Sequence, residues 1–291
     1  MKKYIIKSLL SIIFYFTLCS TVFAQKNKAK IGIIGDVAKN EMFYASGYRY
    51  MEEGVSRSFS PRNVSDSAFE VRLKLIKSSK VKVVAANVFL PGILRLVGDD
   101  VNEAAVLGYV DTVMKRSKAA GLKIIVLGSG GSRNVAEGYD KEKAKLQFID
   151  IVRKMSVVAA KYNMIIAMEN LNRGECNFVN NLGESLEIAD AINHPNFKLT
   201  ADIYHMLREN DPPSSIIAAG KYLVHCHIAE NKDRAYPGKN GEDFRPYFRA
   251  LKQIGFKGVI TMECGWTKIE EEAPVALKYL QGQLDEVYKE K

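Results

Sequence analysis

The 291-residue chain is poor in the residues that mark several protein classes. It has four cysteines, four histidines and one tryptophan. Exported disulfide scaffolds are short and cysteine-dense, and this chain is neither. No CxxC occurs, so a thiolate zinc site has no foundation. After the amino terminus there is no apolar run of roughly 18 residues, which excludes a multi-span membrane protein. No Lys/Arg block of the kind that grips nucleic acid or anionic lipid appears, although the formal charge is +9. No linker, low-complexity tract or composition shift divides the chain. With 47% apolar and 26% charged residues it is ordinary globular material, not a disordered one.

Residues 1–24 read as an address. Lys2, Lys3 and Lys7 form a positive start, an apolar stretch runs from Leu9 to Leu18, and Val22-Phe23-Ala24 ends in the small residue of a cleavage site. The expectation is a signal peptide cut before Gln25, an exported, periplasmic protein of residues 25–291, and no membrane span after cleavage. The alternatives are an uncleaved anchor and, through Cys19, a lipoprotein; Leu18 stands where the latter wants a small residue. Cleavage removes three lysines and no acid, taking the charge from +9 to +6. Cys176, Cys226 and Cys264 remain, an odd number at wide spacing, read as packing residues.

Beyond this leader, strand-like apolar runs recur eight times: 31–34, 48–51, 81–86, 123–127, 164–168, 197–201, 223–227 and 258–262. Several are continuous apolar segments, as parallel strands buried on both faces require. Helical patterns alternate with them. Residues 101–120 put Val106, Val110, Val113 and Met114 on one face before Gly121 ends the helix. Eight βα repeats in about 260 residues have the rhythm of a single (β/α)8 TIM barrel. The doubly wound alternative wants a GxGxxG after its first strand, where this chain has GDVAKNE.

In such a barrel, chemistry collects at the carboxyl ends of the strands. MIIAMEN ends the fifth run in Glu169. FKLTADIYH ends the sixth in Asp202, with His205 three residues on. YLVHCHIAE ends the seventh in His225 and His227, and GVITMEC ends the eighth in Glu263. Any one of these has a bland reading as a loop residue meeting water. Together, three carboxylates aimed at one barrel mouth repel each other unless a cation sits among them. Three oxygens and one imidazole suit one divalent metal ion, Mn²⁺, Mg²⁺, Co²⁺ or Zn²⁺. His225 and His227 face the same side, and His227 lies nearer the strand end. It is therefore the ligand, with His225 either an interior residue or one that supports the ligands from behind; His194, before Pro195, is read as a surface residue.

At these residues the chain resembles the sugar phosphate isomerase/epimerase group of xylose-isomerase-like barrels, in particular the ketose 3-epimerases. The resemblance implies a metal held by Glu169, Asp202, His227 and Glu263. It implies that Glu175, six residues after the first ligand, and His205 bind substrate. Glu52 in YRYMEE matches a further substrate-binding Glu, with Glu53 as a rival. The family's substrate Arg falls on Asp233, so Arg234 or Lys232 must serve, or the contact is missing. Asn87, Trp266, Arg57 and Asn172 are candidates for the pocket lining. In GSGGSRNVAEGYD, Gly128, Gly130 and Gly131 with Arg133 form either an anion cradle or a turn that geometry demands.

The implied reaction is proton transfer beside a carbonyl through an enediolate. Glu169 and Glu263 are the catalytic bases on opposite faces of a keto-sugar. Export favours a neutral keto-sugar or keto-glycoside over a sugar phosphate. The alternatives are a lyase or hydratase acting on 3-keto sugars, and a sugar-binding barrel without activity. The related trinuclear-zinc DNA-repair endonuclease needs more histidines than four, so the expected partner is a small sugar and not nucleic acid. A homo-oligomer is compatible with this pattern.

Overall fold

A computed structural model describes residues 28–290; the expected signal peptide lies outside the described residues. Eight parallel strands close into a barrel: β1 Lys30–Ile34, β2 Tyr50–Gly54, β3 Lys82–Asn87, β4 Ile124–Leu127, β5 Ile165–Glu169, β6 Phe197–Asp202, β7 Leu223–Ile228 and β8 Val259–Met262. Each pairs with the next and β1 closes on β8, with Ile31 opposite Ile260. No strand is left as an edge, so every backbone ladder is satisfied. This is a single (β/α)8 TIM barrel.

The helices start where short polar side chains satisfy free backbone N–H groups. Ser65, Asn102, Asp140 and Asn181 accept from Ala68, Ala105, Lys143 and Glu184, opening helices Asp66–Ser78, Glu103–Ala119, Lys141–Lys161 and Leu182–Ile192. Val106, Val110, Val113 and Met114 are all fully buried, as their spacing requires. Gly121, at φ +87°, ends that helix in the left-handed region that glycine enters without penalty. Among the described residues no helix is long and apolar enough to cross a membrane, and Cys176, Cys226 and Cys264 are free.

The second strand departs from its expected position. It runs over Tyr50–Gly54, starting two residues later and ending three residues later than the run that suggested it. Tyr48 precedes the strand and is fully buried among helices, its hydroxyl donating to the Ala273 carbonyl at 2.8 Å. Glu52 and Glu53 follow as strand residues and point to opposite faces. Glu53 turns outward and accepts from the amides of Val37 and Gly54 and from Arg57 and Arg72. Glu52 turns into the barrel. Two adjacent carboxylates hide a strand from any reading of apolar periodicity.

Candidate active site

β5 and β6 end in Glu169 and Asp202, His227 lies one residue from the end of β7, and Glu263 directly follows β8. The closed barrel converts these sequence-distant positions into one rim. One ligand atom from each, taken together, lies within 4.8 Å of every other. His227 Nδ1 is 2.7 Å from Glu169 Oε1 and 3.2 Å from Glu263 Oε2. Asp202 Oδ1 accepts from the His205 amide at 3.2 Å and so caps helix Ile203–Glu209. Its Oδ2 is buried and has no hydrogen-bond partner.

That oxygen is a physical test of the metal hypothesis, because a buried carboxylate oxygen without a hydrogen bond is costly, and the groups nearest it, His205 Nε2 at 3.4 Å and Arg234 Nη2 at 3.8 Å, do not supply one. The donor chemistry agrees: three carboxylates and an imidazole each bring a ligand atom within 4.8 Å of the others. The residues fit a divalent cation.

Charge explains the protonation pattern. Burial, reinforced by Glu263 and Asp202, pushes Glu169 up to about 7 against the pull of His227. Burial and Glu263 raise Asp202 to about 6. Burial also opposes ionisation of Glu263, but His227 and Arg234 outweigh it and hold the carboxyl at about 2. Burial works against a charged His227, yet Glu52, Glu169 and Glu263 raise it well above its ordinary value. The protons thus settle where two of the acids cannot share the site in ionised form.

Above the rim lies a cavity of about 390 Å³ whose walls include Asn87, Glu169, Glu175, His205, Arg234 and Glu263. Asn87 donates to Glu263 Oε1 at 3.0 Å. Arg234 donates to Glu263 Oε2 at 2.8 Å and to Glu175 Oε1 at 3.0 Å, and its guanidinium stacks 4.7 Å from the Tyr204 ring centre. Asp233 and Arg234 both adopt left-handed backbone angles, φ 61° and 47°. With this turn Arg234 reaches the cavity wall; Lys232 is not part of its lining. His205 Nδ1 accepts from the backbone N–H of Asn172 at 3.2 Å and lies 2.8 Å from its Nδ2, while Nε2 has no hydrogen bond and is 3.4 Å from Asp202 Oδ2. Burial lowers its pKa.

Other candidates lie elsewhere. Trp266 stacks on Tyr236 at 5.7 Å, outside the cavity lining. Arg57 is tied to Glu53 on the outer face of β2. His194 is half-buried. Glu52 has no exposed surface and sits one layer beneath the rim rather than in the cavity wall. The anion-cradle reading is corrected: Arg133 is fully buried and turned inward, its Nη2 donating to the Glu169 carbonyl at 2.7 Å. The glycines beside it answer to space. A Cβ at Gly128 would collide with Glu169 Oε2, and one at Gly130 would lie 2.8 Å from the Glu175 carbonyl.

Two features were missed in the sequence. Val88, at φ 52°, is a β-branched residue in the left-handed region on the cavity wall, and no sequence signal marks it. The packing of Gly128 against Glu169 was open to a clue, a glycine directly after an apolar strand. A larger depression of about 1130 Å³ opens at the opposite end, between Lys30, Arg49 and Lys278, but among the described residues no cluster of metal-capable ligands lines it.

The xylose isomerase-like TIM barrel family model matches residues 43–283. The chain belongs to that family. Among relatives, the L-ribulose 3-epimerase of Methylomonas sp. (strain DH-1) is 40% identical over 113 residues, covering 38% of this chain and 39% of that protein. The chain therefore aligns with about two-fifths of the length of that relative. Among solved structures, the D-psicose 3-epimerase of Clostridium cellulolyticum H10 with D-tagatose superimposes with a TM-score of 0.78 at 21% identity, over 88% of this chain and 99% of that one. The 3-keto-D-glucoside 4-epimerase of E. coli gives 0.75 at 20% identity, over 88% and 100%. At such identity these two likenesses concern the fold.

Proposed function

We propose that this protein is a divalent-metal-dependent epimerase or isomerase of a neutral keto-sugar, acting by proton transfer at the carbon beside the carbonyl. The observation that carries the reading is the convergence of Glu169, Asp202, His227 and Glu263, with Asp202 Oδ2 buried and unpartnered. The epimerases among its relatives support the reaction class. Glu169, Asp202, His227 and Glu263 would hold the cation, which supplies positive charge for the oxygen that becomes negative as the proton leaves.

The remaining work falls to the chain itself. Glu169 reaches about 7 without a cation because it is buried beside other acids; ionised in the loaded site, it is a carboxylate able to accept the substrate proton. Glu263 stands across the rim as the second carboxylate, so one removes the proton and the other returns it on the opposite face. Glu175, His205 and Arg234 line the cavity and offer an acceptor, an unpartnered ring nitrogen and a guanidinium to substrate hydroxyls. Arg234 is the one guanidinium in the lining and is already committed to Glu175 and Glu263. Those two carboxylates offset its charge, so the lining carries no excess positive charge for a phosphate, which supports a neutral sugar. The amino-terminal segment, with its basic start and apolar core, supports export.

Solvent-deuterium exchange at the substrate C–H tests the scheme, with candidate ketoses and 3-keto-glucosides and one equivalent of Mn²⁺. Glu169→Gln and Glu263→Gln should each abolish exchange. Exchange retained in both variants refutes two-carboxylate chemistry, and a product differing in mass from the substrate points to a lyase or hydratase.

A further inference from the structure

Beneath the rim lies a closed polar layer that the proposed chemistry leaves unused. Glu52 from β2, His225 from β7 and Thr261 from β8 are all buried, at 0%, 1% and 0% exposure. They meet at one oxygen. Glu52 Oε2 is 2.6 Å from His225 Nε2, accepts from Thr261 Oγ1 at 2.9 Å, and is 3.0 Å from His227 Nε2. The two imidazoles stand at 85° to each other, 5.1 Å apart.

An ionised carboxylate only accepts, so each group facing Glu52 Oε2 must donate. His227 then carries a proton on Nε2. Its Nδ1 is left to face Glu169 and Glu263 at the rim. Of the two ring nitrogens, Nδ1 is the one that can offer a lone pair to a cation there. We infer that Glu52 is a positioning residue: it fixes the tautomer and ring orientation of His227 so that Nδ1 is presented to the rim.

The cost of the arrangement argues for such a role. Among the described residues Glu52 Oε1 is buried with no partner, and no guanidinium or ammonium touches this carboxylate. A buried carboxylate of this kind is a poor way to stabilise a core, where an apolar side chain of similar volume does as well or better. A ligand histidine that donates its other N–H to a carboxylate is, by contrast, a recurrent means of raising affinity at metal sites. His225 and Thr261 hold Glu52 itself in place, since both bind the same oxygen. One rival is physical: the Glu52, His225 and His227 atoms are also close enough to embrace a second cation.

The inference rests on the rim being a metal site, and the experiment separates the two. Zn²⁺ is titrated calorimetrically into the metal-free full chain and into Glu52→Gln. Nitrogen-15 NMR of the histidine rings is recorded on the Zn²⁺-loaded protein. The expected results are one ion per chain, Zn²⁺ on His227 Nδ1 with the proton on Nε2, and affinity ten- to a hundredfold weaker in Glu52→Gln. Zn²⁺ on Nε2 overturns the inference, as do two ions per chain or affinity within twofold in a Glu52→Gln protein that melts cooperatively. Should that variant not fold, the ring assignment in the natural protein decides alone. If the natural protein binds no ion, the rim reading fails first.

Discussion

Loading the rim with a divalent cation should release protons, and more of them at low pH. A cation needs Glu169 and Asp202 ionised and His227 Nδ1 free. Glu169 stands at about 7 because burial and the Glu263 and Asp202 charges exceed the pull of His227, and Asp202 stands at about 6 through burial and Glu263. At pH 6 these two carboxyls together hold about 1.4 protons, and at pH 8 about 0.1. His227 is raised well above its ordinary value and adds up to about one more. The carboxyl contribution alone makes binding about twentyfold tighter at pH 8 than at pH 6, and His227 acts in the same direction.

The sign for stability follows from the same groups. Without a cation, the folded protein holds Glu169 protonated up to about 7, whereas the unfolded chain ionises it near 4.5. The folded state binds more protons across that window, so stability falls as pH rises from about 4.5 to about 7, by up to about 3 kcal/mol for Glu169. Glu263, lowered to about 2, acts oppositely and loses its contribution as pH drops below about 4.5. The assay is calorimetric titration with Mn²⁺ in buffers of different ionisation enthalpy, at pH 6 and pH 8. No proton release at pH 6, or an affinity equal at the two pH values, refutes the reasoning.

Three substitutions test other parts of the site. Gly128→Ala pushes the Glu169 carboxylate out of place; because the obstacle is a flexible side-chain end, cooperative melting should persist while Mn²⁺ affinity drops at least about tenfold by calorimetry, or about 1.4 kcal/mol. Val88→Asn relieves a β-branched residue at φ 52° and should stabilise by about 1 kcal/mol, raising the calorimetric Tm by about 2–4 °C; a lower Tm contradicts this. Arg234→Lys replaces a fork that binds Glu175 and Glu263 through separate nitrogens with a point charge, so KM for the sugar should rise about tenfold in steady-state kinetics with the melting curve unchanged.

Much of this was legible in one dimension. Eight apolar runs separated by helical patterns imply a closed parallel barrel, because strands buried on both faces lose their alternation. The carboxyl end of each strand is also readable, and with it the positions of Glu169, Asp202, His227 and Glu263. These are local properties, set by periodicity and by where it stops. Other outcomes depended on which side a residue faces and on what else arrives there. The placement of Glu52 beneath His227 joins residues 175 apart in sequence and required the barrel to close before β2 met β7. The inward turn of Arg133 and the arrival of Arg234 rather than Lys232 at the cavity wall came from backbone angles and packing that composition does not encode. The order of residues determined which side chains reach the rim; only the packed barrel decided their spacing, protonation and partners, because those arise between elements that are distant in the chain.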